Sequence, residues 1–349
     1  YSSENAANSF AKIDHGDNNY FGYSSTADDD RGQAPRDMDI TINPDNENII
    51  YMSGILSWFS NDGGNNFQIS SQWVPASALN QNIGYCHADI DITEFIDGNL
   101  FVGSDGGVFK ASQPNTISSN YYEDLSTGLS IRQFYKIGVS KGNQEMITGG
   151  SQDNGTSVLN NGVWSDWLGA DGMETFIDKD DSNKIYGTSQ FGSLYRTNNA
   201  GQTYQYINPP LDKAGSENGA NWIVPFEQDP EVSDKIYVAY DEVFSNTNLE
   251  GWIKISQTFS SNIDVMSIAP SNNQTIYISV NDLMYKTENQ GQSDWVEISL
   301  PDLTGNINAI AIHPEDEKHI AAAVSGTNKV IHSQDGGDTW EILNNDLPD

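Results

Sequence analysis

Four stretches of the chain share one rhythm of apolar and polar positions: MDITINPDNENIIYMS from Met38, VPFEQDPEVSDKIYVA from Val224, VMSIAPSNNQTIYIS from Val265 and AIAIHPEDEKHIAAA from Ala309. In each, apolar residues alternate, a proline-containing turn follows, and a second apolar run begins. Alternation with period two is the mark of a strand with one buried face. Proline fixes the turn and lacks the N–H that a central strand needs. Pro44 and Tyr51, Pro230 and Tyr237, Pro270 and Tyr277, and Pro314 and Ala321 are all seven residues apart. Weaker copies begin at Ala88, Phe134 and Met173. The markers Met38, Asp89, Phe134, Met173, Val224, Val265 and Ala309 recur roughly every 40 to 50 residues, which gives seven repeats.

Each repeat continues into a third and often a fourth short strand, as in WFSNDGGNNFQIS, LYRTNNAGQTYQYI, LMYKTENQGQSDWVEIS and KVIHSQDGGDTWEIL. Four strands per unit of this length is the pattern of a propeller blade, which buries both faces only by stacking on neighbours. The expected fold is all-β: a seven-bladed β-propeller of four-stranded antiparallel blades. It forms one domain over 1–349, with repeats at approximately 35–80, 86–130, 131–170, 171–220, 221–260, 261–304 and 305–345. The N-terminal NSFAKID resembles a last strand, either closing the ring beside the final blade or belonging to an earlier one.

Between third and fourth strands lies the pattern Ser/Thr-x-Asp/Asn-x-Gly-x-x-aromatic. It occurs as Ser60, Asp62, Gly64 and Phe67; as Thr197, Asn199, Gly201 and Tyr204; and as Ser333, Asp335, Gly337 and Trp340. The hydroxyl and carboxylate suit turn N–H groups, glycine supplies a left-handed backbone, and the aromatic packs between blades. TENQGQSDW at Thr287 is a degraded copy with one extra residue before Trp295. The pattern resembles the Asp-box, or BNR repeat, of sialidases, sortilin-type (VPS10) receptors and two-propeller xyloglucanases. In those families the box lies on the outer edge, so the resemblance implies architecture rather than activity.

Charge narrows the partners. Asp plus Glu number 49 against 16 Lys plus Arg, a formal net charge of -33. Such a field repels phosphate backbones and anionic membranes. There is no basic stripe for nucleic acid and no phosphate-binding glycine loop. No apolar run is long enough for a membrane-spanning helix, so no membrane insertion is expected. The single cysteine, Cys86, allows no intrachain disulfide and suits a buried small side chain. The start at Tyr1 and the closing NNDLPD read as a piece of a larger protein with further domains.

Repeats two to four break the regular pattern with CHADID (Cys86–Asp91), GSDGGVF from Gly103, GGSQDNGT from Gly149 and GADGME from Gly169. His87, Asp89, Asp153, Asn154 and Glu174 are therefore candidate ligand-binding residues, with Trp164 and Trp167 as stacking surfaces; Trp58 and Trp73 are further aromatic candidates. Asp89, Asp105 and Asp153 form a candidate set for Ca²⁺, though no cofactor is required. Asp105 and Asp171 are the candidate acid–base pair for a glycosidic bond. Asp and Gly in these positions equally make tight turns whose carboxylates cap backbone N–H groups. The order of motifs from His87 to Glu174 resembles a family of secreted BNR/VPS10-like repeat proteins of marine Bacteroidetes. That resemblance implies export by the type IX route and an extracellular or cell-surface home. Against the xyloglucanases, Asp105 in an Asp-Gly-Gly turn matches one catalytic position. A sialidase reading fails, because Arg31, Arg36, Arg132 and Arg196 are the only arginines available for the substrate clamp and the field disfavours anionic sugars. The expected function is a non-catalytic extracellular binding module for a protein or neutral glycan. The alternative is a glycoside hydrolase acting on a neutral β-glucan or xyloglucan-like polysaccharide. The long loops from Ser70 and Ile207 are the expected recognition segments.

Overall fold

The computed structural model describes residues 1–3, 7–13, 15–143, 145–302, 305–325 and 329–343. The closing NNDLPD lies outside the described residues. The chain divides into two compact units, 1–131 and 132–349. Among the described residues are seven four-stranded antiparallel sheets, each built from four consecutive strands, and one two-stranded parallel pair.

The first unit holds two of the four-stranded sheets, beginning with strands Asp39–Ile42 and Ile90–Ile96. These first strands pack on one another, and Asp39 Oδ2 accepts Thr93 N–H at 2.6 Å and the Thr93 hydroxyl at 2.8 Å. The loop from Ser70 is ordered. Its residues Ser71–Gln72 pair in parallel with Gly84–Tyr85, and between them runs the short helix Pro75–Gln81. Proline at the helix start and Asn82 in the left-handed region at its end account for these limits. The NSFAKID segment contributes no strand among the described residues; Ala11 makes an isolated antiparallel bridge to Ser2.

The second unit holds five sheets, beginning with strands Phe134–Val139, Gly172–Ile177, Phe226–Gln228, Val265–Ile268 and Ile307–His313. Each first strand packs on the first strand of the next sheet, the blade-on-blade arrangement of a β-propeller. The core is accordingly a series of slabs between successive sheets. Tyr186, Leu194, Phe226 and Ile236 fill one slab, Tyr237, Val243, Ile276 and Ile278 the next, and Tyr277, Met284, Ile310 and Ile320 the last. Burying each such side chain contributes about 1.5–3 kcal/mol. The tyrosines seven residues after proline are fully buried, and their hydroxyls find oxygens: Tyr237 donates to Asp229 Oδ2 at 2.8 Å and Tyr277 to the Glu317 carbonyl at 2.9 Å. Where the third and fourth sheets meet, a Cβ on Gly150 would lie 2.1 Å from the Met173 carbonyl. Glycine there permits a close approach that any side chain would prevent.

The Ser/Thr-x-Asp/Asn-x-Gly turns share one hydrogen-bond pattern. Ser60 Oγ accepts Gly64 N–H at 2.9 Å and donates to Asp62 Oδ1 at 2.8 Å, and Asp62 Oδ1 accepts Asn66 N–H at 2.9 Å. Thr197, Asn199 and Gly201 repeat it, as do Ser333, Asp335 and Gly337. The copy at Thr287 keeps the same bonds, Thr287 to Asn289 at 2.9 Å and Gly291 N–H to Thr287 at 2.9 Å, despite its extra residue.

Candidate functional site

In the first unit, Asp89 sits just before the strand Ile90–Ile96 with φ of 60° and accepts the Gln33 side-chain amide at 2.9 Å. Asp105 lies in the turn between strands Asn99–Ser104 and Gly107–Ala111. Arg36 grips it with both terminal nitrogens, at 3.0 and 3.3 Å. This fork-on-carboxylate geometry is the strongest form of the pair. Asp37 lies buried beneath Arg36, and burial raises its carboxyl above the usual range, with Arg36 opposing. The His87 ring covers Gly106, where an added Cβ would lie 2.1 Å from it. Trp58 is buried, and Trp73 meets Tyr23 edge-on with ring centres 6.1 Å apart.

The second unit contains Asp153, Asn154, Trp164, Trp167, Asp171 and Glu174. Asp171 is a buried turn anchor. Its Oδ1 accepts the Gln152 amide and the Asp153 backbone N–H, each at 2.8 Å, and its Oδ2 accepts the Gln190 amide at 3.1 Å. Asn154 extends the same turn, donating to the Gln152 carbonyl at 3.0 Å. Both oxygens of the expected catalytic carboxylate are thus engaged in holding one loop to the next.

The two candidate tryptophans separate sharply. Trp167 is 5% exposed and belongs to the core between the third and fourth sheets, so it offers no stacking face. Trp164 is 50% exposed. A bulge lies between them: Thr156 pairs with Leu168 and Ser157 with Asp166, which leaves Trp167 as the extra residue. Trp164 stacks on Phe134, with ring centres 6.1 Å apart and planes 28° from parallel. Phe134 lies over Gly149, where a Cβ would come within 2.4 Å of its ring. Two residues along the Trp164 strand, Asp166 accepts Ser157 Oγ at 2.6 Å and pairs with Arg132 at 3.0 Å. An exposed aromatic platform therefore adjoins a fixed cluster of donors and acceptors.

A second concave feature lies along the first strands of the same unit, a cavity of about 200 Å³ lined by Lys136, Glu174, Glu227, Asp264, Met266 and Asn308 among others. Lys136 Nζ is 3.4 Å from Glu174 Oε2. Burial raises the Glu174 carboxyl, and Lys136 opposes the rise. Glu227 is pushed up to about 8, first by burial and then by the neighbouring Glu174 charge. Asp264 accepts the Asn221 amide at 3.0 Å and Asn281 N–H at 2.7 Å. Glu227 was not among the sequence candidates, because it stands at a polar position of the alternating strand VPFEQDP. Phe134 was not among them either, because its neighbourhood depends on strand register.

No protein-family model matches the chain, and no curated protein matches it. Among solved structures, an ancestral GH74 enzyme is similar at TM-score 0.48 and 12% identity, over 88% of this chain and 38% of that one. The GH74 xyloglucanase from Xanthomonas campestris is similar at TM-score 0.46 and 15% identity, over 86% of this chain and 52% of that one. YCF48 bound to D1 peptide is similar at TM-score 0.38 and 11% identity, over 88% of this chain and 85% of that one. The chain spans about half or less of the length of the two GH74 enzymes.

Proposed function

We propose that this chain is a non-catalytic extracellular binding module, a seven-bladed propeller with Asp-box turns, that takes a neutral glycan on the platform of Trp164 and Phe134. The exposed, stacked Trp164 carries the reading. The C–H face of a pyranose is apolar and weakly positive, and an aromatic ring presents a negative face to it. Asp166 and Arg132 beside the platform supply the acceptor and donor that orient hydroxyl groups. A neutral sugar suits the field of a chain with net charge -33, and an anionic one does not. Asp171 and Asp105 support binding over hydrolysis, since three donors hold the first and Arg36 holds the second. Further domains of a parent protein are natural partners for such a module. Among the described residues no helix is long and apolar enough to cross a membrane.

Calorimetric titration with neutral β-glucan and xyloglucan oligosaccharides tests the proposal. Wild-type protein is expected to bind one of these series, and Trp164→Ala to lose at least about tenfold in affinity, the value of one good aromatic contact. Equal binding by the variant, or no binding of any neutral oligosaccharide, rejects it. The same titration in EDTA reports any Ca²⁺ requirement.

Hydrolysis is a second reading with one observation in its favour. Glu227 keeps its proton up to about pH 8 beside Glu174, which is what a general acid needs. Release of reducing ends that disappears in Glu227→Gln would establish it.

A further inference from the structure

We propose that the last sheet carries a surface site for a divalent transition metal, of the Zn²⁺ class, built on His319 and His332 with His313 and Glu341 completing it. The chain has five histidines, and three of them meet here on three adjacent strands. His313 and His319 have ring centres 5.1 Å apart, and His319 and His332 have ring centres 4.6 Å apart. Two imidazoles on one tetrahedral zinc, at Zn–N of about 2.0–2.1 Å, have their ring centres about 5 Å apart. The His319 and His332 rings, tilted by 50°, stand near that separation, whereas the His313 and His319 rings lie nearly parallel at 10°, so bringing their nitrogens onto one ion takes rotation about side-chain bonds.

Strand register explains the gathering. Beyond the Ile312–Ile320 pair the register shifts and His313 pairs with Asp316, and there its ring lies against that of His319. Ala321 pairs with His332, so His319, two residues before Ala321, shares the face of His332. His332 pairs in turn with Glu341, so a carboxylate stands opposite it on the same face. Cross-strand neighbours on one face have Cβ atoms about 4.5–5.5 Å apart, and diagonal ones about 7–8 Å. Three imidazoles and a carboxylate are the donor set of zinc, nickel and copper rather than of calcium. The strongly acidic surface concentrates cations at such a place.

One ligand is held back. His313 Nδ1 accepts the Glu315 backbone N–H at 3.2 Å, which places its proton on Nε2. His313 joins a metal only by giving up this bond, whereas no comparable bond constrains the assignment of His319 as the central ligand between two ring neighbours. This site is independent of the glycan platform.

The test uses the whole chain. Zn²⁺ is titrated calorimetrically, Co²⁺ is followed by its visible absorption, and histidine ring ¹H–¹⁵N shifts are recorded with and without Zn²⁺. The expected result is one Zn²⁺ per chain at a dissociation constant on the order of micromolar, intense tetrahedral Co²⁺ bands and shifts at His319 and His332. His319→Ala and His332→Ala each weaken binding at least about tenfold, the scale of losing a metal-shell residue. His313→Ala weakens it less; the reverse order overturns the assignment of His319. Absence of Zn²⁺ binding, or undiminished binding by the double variant His319→Ala/His332→Ala, overturns the site. If that double variant does not fold, as judged by its melting in EDTA, the wild-type spectra decide: ring shifts unmoved by Zn²⁺ overturn it equally.

Discussion

Trp295 donates its indole Nε1–H to the carbonyl of Ile255 at 2.8 Å, across the boundary between the fifth and sixth sheets. The relationship recurs. Trp252 donates to the Ile207 carbonyl at 2.8 Å and Trp340 to the Ser299 carbonyl at 3.1 Å. In all three, the acceptor is the residue that directly follows the fourth strand of the preceding sheet. Tryptophan thus both fills the slab and ties the outer edge of one blade to the next. Trp295→Phe is expected to cost about 1–2 kcal/mol in urea unfolding by removing the bond, and Trp295→Ala about 3–5 kcal/mol by adding a cavity. Equal costs for the two variants would show that the bond contributes nothing.

The same carbonyl constrains Gly291. A Cβ there would lie 1.7 Å from the Ile255 oxygen, at a φ of +75°. Gly291→Ala must displace that oxygen and adopt a left-handed backbone. A loss of at least about 2 kcal/mol is expected from strain together with the broken indole bond. A double-mutant cycle with Trp295→Phe should show coupling; strict additivity would argue against a shared acceptor.

Asp171 illustrates a carboxylate whose work is structural. Asp171→Ala leaves the Gln152 amide, the Asp153 N–H and the Gln190 amide without their acceptor, and should cost about 2–4 kcal/mol. Affinity for a glycan on Trp164 should fall little in protein that remains folded. A variant as stable as wild type would mean the turn is held by other bonds.

Two groups of carboxyls give opposite pH dependence. Burial raises Glu227 to about 8, so between the ordinary carboxyl range and that value the native state holds a proton that the unfolded chain has lost. Its contribution is complete at acid pH and is lost as pH rises toward 8. Asp62 and Asp335 are lowered from 3.8 to about 2, chiefly by side-chain bonds from Asn66 and Thr339 respectively. Their contribution is present above about 3.8 and is lost as pH falls toward 2. Urea midpoints measured from pH 5 to 9 should decline less steeply in Glu227→Gln than in wild type. An unchanged slope would place the titration elsewhere.

Much of the blade architecture was legible because it rests on local, repeated chemistry. Each four-stranded sheet is built from strands consecutive in the chain, so alternation and turn residues, which act locally, describe its strands. The turn residues Ser333, Asp335 and Gly337 act within five positions of one another, so spacing alone describes their hydrogen bonds. The candidate site was less legible. Trp164 and Trp167, three residues apart in VWSDWL, alternate in face, but which of the two is covered depends on the neighbouring sheet, which packs on Trp167 and leaves Trp164 exposed. For Asp171 the sequence left a turn anchor and an acid–base carboxylate open, because its side-chain donors, Gln152 and Gln190, each stand 19 residues away.

The sequence by itself determined the strands, their turns and their grouping, since period-two patterning, proline and glycine act over a few residues. It also determined the acidic field, which is a sum over side chains and needs no coordinates. Tertiary structure alone decided which side chains share a face. Phe134 meets Trp164, Glu227 meets Glu174, and His319 meets His313 and His332 through strand register and sheet stacking, and these depend on contacts between residues far apart in the chain.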